Sequence, residues 1–449
     1  MCKAKKLYVL LGVLLVACVA TLAVSRHEEE KEIIQNSDEI ILTVDAEKVT
    51  ALSWEYGETS LAFHKDEVWQ YDEDEAFPVD EEKISGLLKE FQEFGVSFVI
   101  DEVEDYAQYG LDEPTCTIQI AAGDTEYTIE LGAYSTMDSK RYVSIGDGKV
   151  YLVNQDPMEA YELEIKDLIK HDEIPDLGDA TLIRFTGEES YEIAYEEESN
   201  HTYCADDVYF IEDKPLDSNL VSTYLSAAEG LGLTKYVSYN VTEEELAAYG
   251  LDTPEMTISV DYPVTNEEDV TTTETFVLHI GRNQEDSNET AYARVGESQI
   301  VYEITSSNYE SLTANTYDDL RHKEVLTASF DDVYQIDVTL GDEEYTFKKT
   351  DVEGTTTWTY AEESVSISSI KSAVQALEAT TFTQEEPTKK LEIAMTVHLE
   401  NENYPTVTVE LYRYNGSECI ATVDGEVLGM VSRSKVVNCM EAVYAIVLN

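Results

Sequence analysis

One nine-residue stretch of this chain occurs twice, and that recurrence constrains the fold more than any other feature. Tyr106-Ala107-Gln108-Tyr109-Gly110-Leu111-Asp112-Glu113-Pro114 returns 140 residues later as Leu246-Ala247-Ala248-Tyr249-Gly250-Leu251-Asp252-Thr253-Pro254. Both copies continue into strand-like runs, Thr117 to Ile120 and Thr257 to Val260. A period this long marks duplication of a whole domain, not a solenoid of short units. The stretch itself has the chemistry of a helix ending. Gly110 and Gly250 suit a left-handed position after the last turn, Leu111 and Leu251 supply the apolar contact that follows, and Pro114 and Pro254 prevent continuation. Asp101 with Glu104, and Thr242 with Glu245, have the spacing of a capping box at the start of that turn. Asp112 and Asp252 are therefore expected as turn formers, not as catalytic acids.

Extending outward recovers a larger unit three times. Each copy opens with alternating apolar residues around a glycine-acid turn, the pattern of a β-hairpin. The first has Leu52, Trp54 and Tyr56 before Gly57-Glu58, then Leu61 and Phe63. The second has Ile183 and Phe185 before Gly187-Glu188, then Tyr191, Ile193 and Tyr195. In the third, Tyr334, Ile336, Val338 and Leu340 precede Gly341-Asp342, and Tyr345 and Phe347 follow. A short aromatic strand comes next (Trp69 and Tyr71, Tyr209 and Ile211, Trp358 and Tyr360), and then an amphipathic helix. Ile84, Leu87, Leu88 and Phe91 follow Asp80; Val221, Tyr224, Leu225 and Ala228 follow Asp217; Ile370, Ala373, Val374 and Leu377 follow Ser366. Asp and Ser are favoured N-caps, and in all three copies the cap precedes the first matched apolar residue by the same interval. Further strands close each unit, ending in hairpins over Tyr142 to Val153, Tyr292 to Tyr302 and Cys419 to Leu428. The third copy departs from the others: Gln384-Glu385-Glu386-Pro387 replaces the glycine turn, and Tyr412 stands where Gly132 and Gly281 stand. The expected fold is α+β: three tandem repeats at 45–175, 176–325 and 326–449, each a curved antiparallel sheet with one main amphipathic helix.

The N-terminus predicts location. Lys3, Lys5 and Lys6 precede an uninterrupted apolar run from Leu7 to Val24, which as a helix would be just long enough for a bilayer core. Residues 1–25 are expected to be a membrane anchor with the N-terminus inside, and 26–44 an acidic lead-in. Leu15-Val16-Ala17-Cys18 also resembles a bacterial lipoprotein box, so lipid attachment at Cys18 is the alternative tether. Either places the bulk of the chain outside the cell membrane. The 93 acidic against 29 basic side chains give a formal charge of −64, which excludes nucleic acid as a partner. Cys116, Cys204, Cys419 and Cys439 form no C-x-x-C pair and are expected as small buried apolar residues.

The tyrosine-glycine-leucine-aspartate-x-proline turn, the Leu131-Gly132 step and the Tyr142-Val143 strand together resemble the bacterial domain-of-unknown-function family numbered 4340, over about Val44 to Ser432. The resemblance implies an N-terminal membrane anchor followed by tandem copies of one domain. Some members lie beside permease and ATPase components of ABC-type export or gliding-associated systems, and the resemblance implies a partner of that kind. It carries over no catalytic residue and no cofactor.

Searching the chain for chemistry returns little. No two of His27, His64, His171, His201, His279, His322 and His398 have metal-ligand spacing, and no phosphate loop or nucleophile elbow appears. His279, between Leu278 and Ile280, is expected as an ordinary strand histidine. Asp72 to Glu75, Glu196 to Glu198 and Glu243 to Glu245 offer oxygen ligands but lack the spacing of a calcium loop, so they are expected as solvated faces and capping turns. The expected function is that of a noncatalytic, membrane-tethered extracytoplasmic accessory or scaffold protein of an envelope or ABC-type transport assembly. A surface protein that binds glycans or cations is the alternative, and a hydrolase using two dispersed carboxylates a more distant one.

Overall fold

The computed structural model describes residues 34–36 and 39–448 except 189, 284–289 and 353–354, with backbone alone at 34–36, 351, 352 and 355. The expected anchor at 1–25 and Cys18 lie outside the described residues. No helix among the described residues is long and apolar enough to cross a membrane. The chain divides into two compact units, with the boundary between His171 and Asp172.

Three antiparallel sheets share one strand order. In the second copy Leu182–Gly187, Tyr191–Tyr195, Tyr209–Ile211 and Lys214–Pro215 precede the main helix. Tyr236–Ser238, Met256–Thr265, Thr271–Arg282, Ala291–Val295 and Val301–Ile304 follow it. Numbered within the copy, these lie in the order 4-3-2-1-6-7-8-9-5. The third copy, from Val333–Leu340 to Glu426–Ser432, repeats that order strand for strand. The first copy keeps it without the short fourth strand and adds Ile34–Asn36 and Ile40–Leu42 beside the fifth. A common order in three segments of one chain bears out the tandem duplication.

The alternation seen in the sequence becomes burial on one face. Leu52, Trp54, Leu61 and Phe63 are buried in the first copy, Ile183, Phe185 and Ile193 in the second, and Ile336, Val338, Leu340 and Phe347 in the third. Against that face lies the amphipathic helix of each copy: α1 (Glu81–Lys89), α2 (Ser218–Glu229) and α3 (Ser368–Gln375). Ile84, Leu87, Leu88 and Phe91 are buried, as are Val221, Tyr224, Leu225 and Ala228. Tyr224 on α2 packs edge-on against Phe185 of the sheet, with ring centroids 5.5 Å apart. Asp80 caps α1 by accepting from the N–H of Glu82 at 3.0 Å, and Asp217 caps α2 by accepting from Asn219 at 2.9 Å.

Three local expectations fail. α3 starts two residues after Ser366, so its N-cap position falls to Ile367, which has no side-chain acceptor. Asp101 pairs with Lys149 Nζ at 3.0 Å instead of opening a capping box, and Asp105 accepts from the Ala107 N–H in its place. In the second copy only half of the box forms: Glu245 accepts from the Thr242 N–H, while the Thr242 hydroxyl donates to Glu245. The strand after each main helix (Phe94–Ile100, Tyr236–Ser238 and Ala379–Phe382) was not anticipated from the sequence. It crosses to the far edge and pairs with the last strand of its copy.

Candidate functional site

The repeated turn is a backbone joint. Tyr109 and Tyr249 end short 3-10 helices, and Gly110 and Gly250 follow with φ of +67° and +66°. Leu111 N–H donates to Tyr106 C=O at 3.1 Å and Gly110 N–H to Ala107 C=O at 3.0 Å. Leu251 and Gly250 make the same two bonds to Leu246 and Ala247. That pair of bonds is the Schellman ending, with Leu111 and Leu251 buried at its apolar position. The turn then seats on the seventh strand, at Leu131-Gly132 in the first copy and at Ile280-Gly281 in the second. A Cβ on Gly281 would lie 2.1 Å from the Gly250 carbonyl oxygen, and one on Gly132 would lie 2.3 Å from that of Tyr109. Tyr109 packs on Tyr142 with ring centroids 5.0 Å apart, and Tyr249 packs on Tyr292 at 5.1 Å. Asp112 and Asp252 are exposed beside this joint, and Pro114 and Pro254 are half-buried.

The acidic runs are largely occupied with local structure. Asp72 meets His64 Nδ1 at 2.6 Å, Glu73 accepts from the Tyr71 hydroxyl at 2.9 Å, and Asp74 accepts from the Ala76 N–H at 3.0 Å. Glu196 accepts from Ser199, and Glu243 faces Arg294 at 3.8 Å. His279 contacts the Thr257 hydroxyl at 2.9 Å across neighbouring strands, an ordinary sheet position. Cys116, Cys419 and Cys439 are buried, and burial pushes each thiol up to about 12.

One cluster in the second unit has no local signature in the sequence. His322 follows the short helix Tyr317–Leu320, in a segment that runs beside the residues just after α3: Val325 N–H donates to Leu377 C=O at 3.0 Å, and Ala379 N–H to Lys323 C=O at 2.6 Å. On the other side, Asp217 N–H donates to Leu320 C=O at 2.9 Å. The imidazole thus stands between the second and third copies. Its Nε2 is 2.7 Å from Asp207 Oδ1, and that carboxylate's side chain is 1% exposed. The other oxygen of Asp207 accepts from the Thr202 hydroxyl at 2.6 Å. His322 Nδ1 faces Glu324 at 3.7 Å. Ligand atoms of Asp217, His322 and Glu324 all lie within 4.8 Å of one another, and so do those of Cys204, Asp207 and His322. A pocket of about 350 Å³ opens here, lined also by Ser218, Thr327 and Gln375. Burial opposes charge on His322, but the hydrogen bond to Asp207 and the fields of Asp207, Asp217 and Glu324 outweigh it and raise the imidazole above its usual range. Burial pushes the half-buried Cys204 thiol up to about 11, so it is a poor nucleophile at neutral pH.

Comparison with known proteins agrees with the repeat. Residues 69–207 and 211–394, together more than two thirds of the chain, match the family described as "Domain of unknown function (DUF4340)". The two matched segments begin within the third strands of the first and second copies. Searches of curated proteins and of solved structures find no match. Tandem matches over most of the chain, laid on sheets of one strand order, establish that this chain belongs to the DUF4340 family.

Proposed function

We propose that this chain is a noncatalytic, membrane-tethered accessory protein whose folded repeats stand outside the cell membrane and serve an envelope assembly of the ABC-transport class. One observation carries the reading: the residues repeated between copies make a packing joint. Gly110, Gly250, Gly132 and Gly281 are needed where backbone meets backbone, and Leu111 and Leu251 fill the turn. Duplication has retained an architecture that presents surface, which is what a scaffold requires. The basic residues and apolar run at Lys3 to Val24 supply the tether, by membrane insertion or by acylation at Cys18.

Crosslinking in intact cells, followed by capture of the full chain and mass spectrometry, tests this. Recovery of a permease or ATPase component, lost when residues 1–25 are replaced by a cleavable secretion signal, is the expected result. Fractionation of the full chain away from membranes, or capture that repeatedly yields no membrane protein, would overturn the proposal.

A further inference from the structure

The His322 cluster has the features of a metal centre with its supporting shell in place. Histidines that ligate metals commonly give their second ring nitrogen to a carboxylate, which fixes the ring and raises its basicity. Asp207 stands in that relation to His322: it is buried, 2.7 Å from Nε2, and held from behind by Thr202. With the Nε2 proton committed to Asp207, Nδ1 is the nitrogen available to a cation. Nδ1 is the side on which Glu324 lies, at 3.7 Å, and Asp217 completes a set of ligand atoms within 4.8 Å.

A tetrahedral site with bonds of about 2.0–2.2 Å has ligand atoms about 3.3–3.6 Å apart. The Nδ1–Glu324 separation already approaches this, and Glu324 is 45% exposed and free to rotate inward. The Asp207–Nε2 pair is the opposite case. At 2.7 Å it is too close for both atoms to bind one ion, so a site using Cys204 and Asp207 would have to break that hydrogen bond and ionise a thiol held near 11. Three carboxylates around one imidazole favour a doubly charged ion, the pocket leaves room for water as a further ligand, and nitrogen with carboxylate oxygen suits zinc.

We propose that His322 Nδ1, Asp217 and Glu324 bind a divalent transition-metal ion of the zinc type, with Asp207 positioning the imidazole. Asp217 caps the main helix of the second copy, while His322 and Glu324 lie on the segment bonded to the third. The ion therefore ties the helix cap of the second copy to that copy's closing segment, which is hydrogen-bonded to the third copy.

The test uses the full chain, stripped of metal and kept in millimolar magnesium so that exposed acids are occupied. Zinc is titrated by calorimetry, and cobalt by visible absorption. The expected result is saturable binding of one His322-dependent equivalent with tetrahedral cobalt bands. Asp207→Asn should weaken it about 10–100-fold at unchanged stoichiometry. Glu324→Gln, a half-exposed change that spares the fold, should weaken it at least tenfold, and Cys204→Ser should leave it unchanged. Titration that shows no difference between wild type and Glu324→Gln would overturn the proposal. A thiolate charge-transfer band that disappears in Cys204→Ser would also overturn it, by moving the ion to the other side of the ring.

Discussion

Replacing the glycines of the repeated turn one at a time separates two physical costs that coincide there. Gly296 and Gly250 both have left-handed φ, +46° and +66°, but a Cβ on Gly296 meets nothing within 4 Å. Gly296→Ala should therefore cost only the left-handed penalty of about 1–2 kcal/mol. Gly281 is the converse: its φ is ordinary, but its Cβ would lie 2.1 Å from the Gly250 oxygen and 2.7 Å from the carbonyl carbon. Carbon and oxygen in contact need more than 3 Å, so one backbone must retreat by about 1 Å, in a region where neither side is a flexible side chain. Overpacking of this kind costs about 1–3 kcal/mol, and the rigid partner places Gly281→Ala at the upper end. Gly250→Ala incurs both, since its Cβ would lie 2.2 Å from the Arg282 oxygen, and should cost about 4 kcal/mol. Because both clashes press the same two backbone segments apart, the double variant should cost clearly less than the sum. Hydrogen exchange at the Leu251 N–H, which bonds Leu246 C=O across the turn, reads the local opening without assuming that the unit unfolds in one step. If Gly281→Ala proves no more costly than Gly296→Ala, the close approach is not what the glycine is for, and the joint has been misread.

Two further outcomes are expected. Glu392 in the third copy is 4% exposed and sits between Arg413 and Arg433, with Arg433 Nε 3.0 Å from Oε2. Burial alone would raise its carboxyl, but the hydrogen bonds and charges of Arg433 and Arg413 prevail and lower it. A lowered carboxylate contributes stability that is full above the ordinary glutamate range, near 4.5, and is lost as pH falls through the folded value. Glu392→Gln should thus cost about 2–3 kcal/mol at neutral pH, discounted from a fully buried pair because the arginines are partly exposed. The gap from wild type should close on acidification in urea melts run from pH 7 to 3; a gap constant with pH would contradict the assignment. Separately, millimolar magnesium and calcium should raise thermal stability by similar, graded amounts by relieving repulsion among 93 acids. A sharp calcium-selective transition in a thermal-shift titration would instead mark a specific site among the acidic runs.

What the sequence reveals and what it hides divide by range. Hairpins were legible because alternation around Gly57, Gly187 and Gly341 is a local property. The α1 and α2 faces were legible because apolar spacing and a capping aspartate fall within a dozen residues. Ser366 misled because its spacing to Ile370 matches the other copies, while the backbone at Ile367 (φ −95°, ψ 11°) delays the helix start. Phe94–Ile100 is not legible because its partner strand, Val150–Val153, is some fifty residues away and a register shift within that pairing moves the buried side from Phe94 and Val96 to Val99. The His322 cluster was invisible for the same reason in stronger form. Its closest partner is 115 positions earlier in the chain, Asp207 adjoins Asp206 in an unremarkable turn, and Asp217 reads simply as a helix cap. The one local hint is that His322 and Glu324 are two apart in an extended segment, a spacing that places both on one side.

The third copy shows why the signature is structural. It has lost the glycine turn, now Gln384 to Pro387, together with the glycine that receives it, now Tyr412. Either loss alone would leave a clash or a gap; together they remove both halves of one contact. A different close approach has taken its place, for a Cβ on Gly429 would lie 2.6 Å from the Thr381 oxygen, where the fifth strand pairs with the last. After its last strand this copy also carries a long helix, α4 (Arg433–Val447), where the first two copies have short ones, Met158–Tyr161 in the first and Ser306–Thr313 and Tyr317–Leu320 in the second. α4 buries Val436, Cys439, Ala442 and Val443 in the same core as Ile370 and Val374. At about 1.5–3 kcal/mol for a fully buried aliphatic side chain, the burial of Val436 and Val443 is comparable in size with the loss of a turn joint. The second family match takes in Gln384 to Pro387 and ends at residue 394, inside the strand Leu391–Leu399. The sheet order has survived that exchange of one stabilising device for another, so the order, and not the turn that first disclosed it, is what the three copies hold in common.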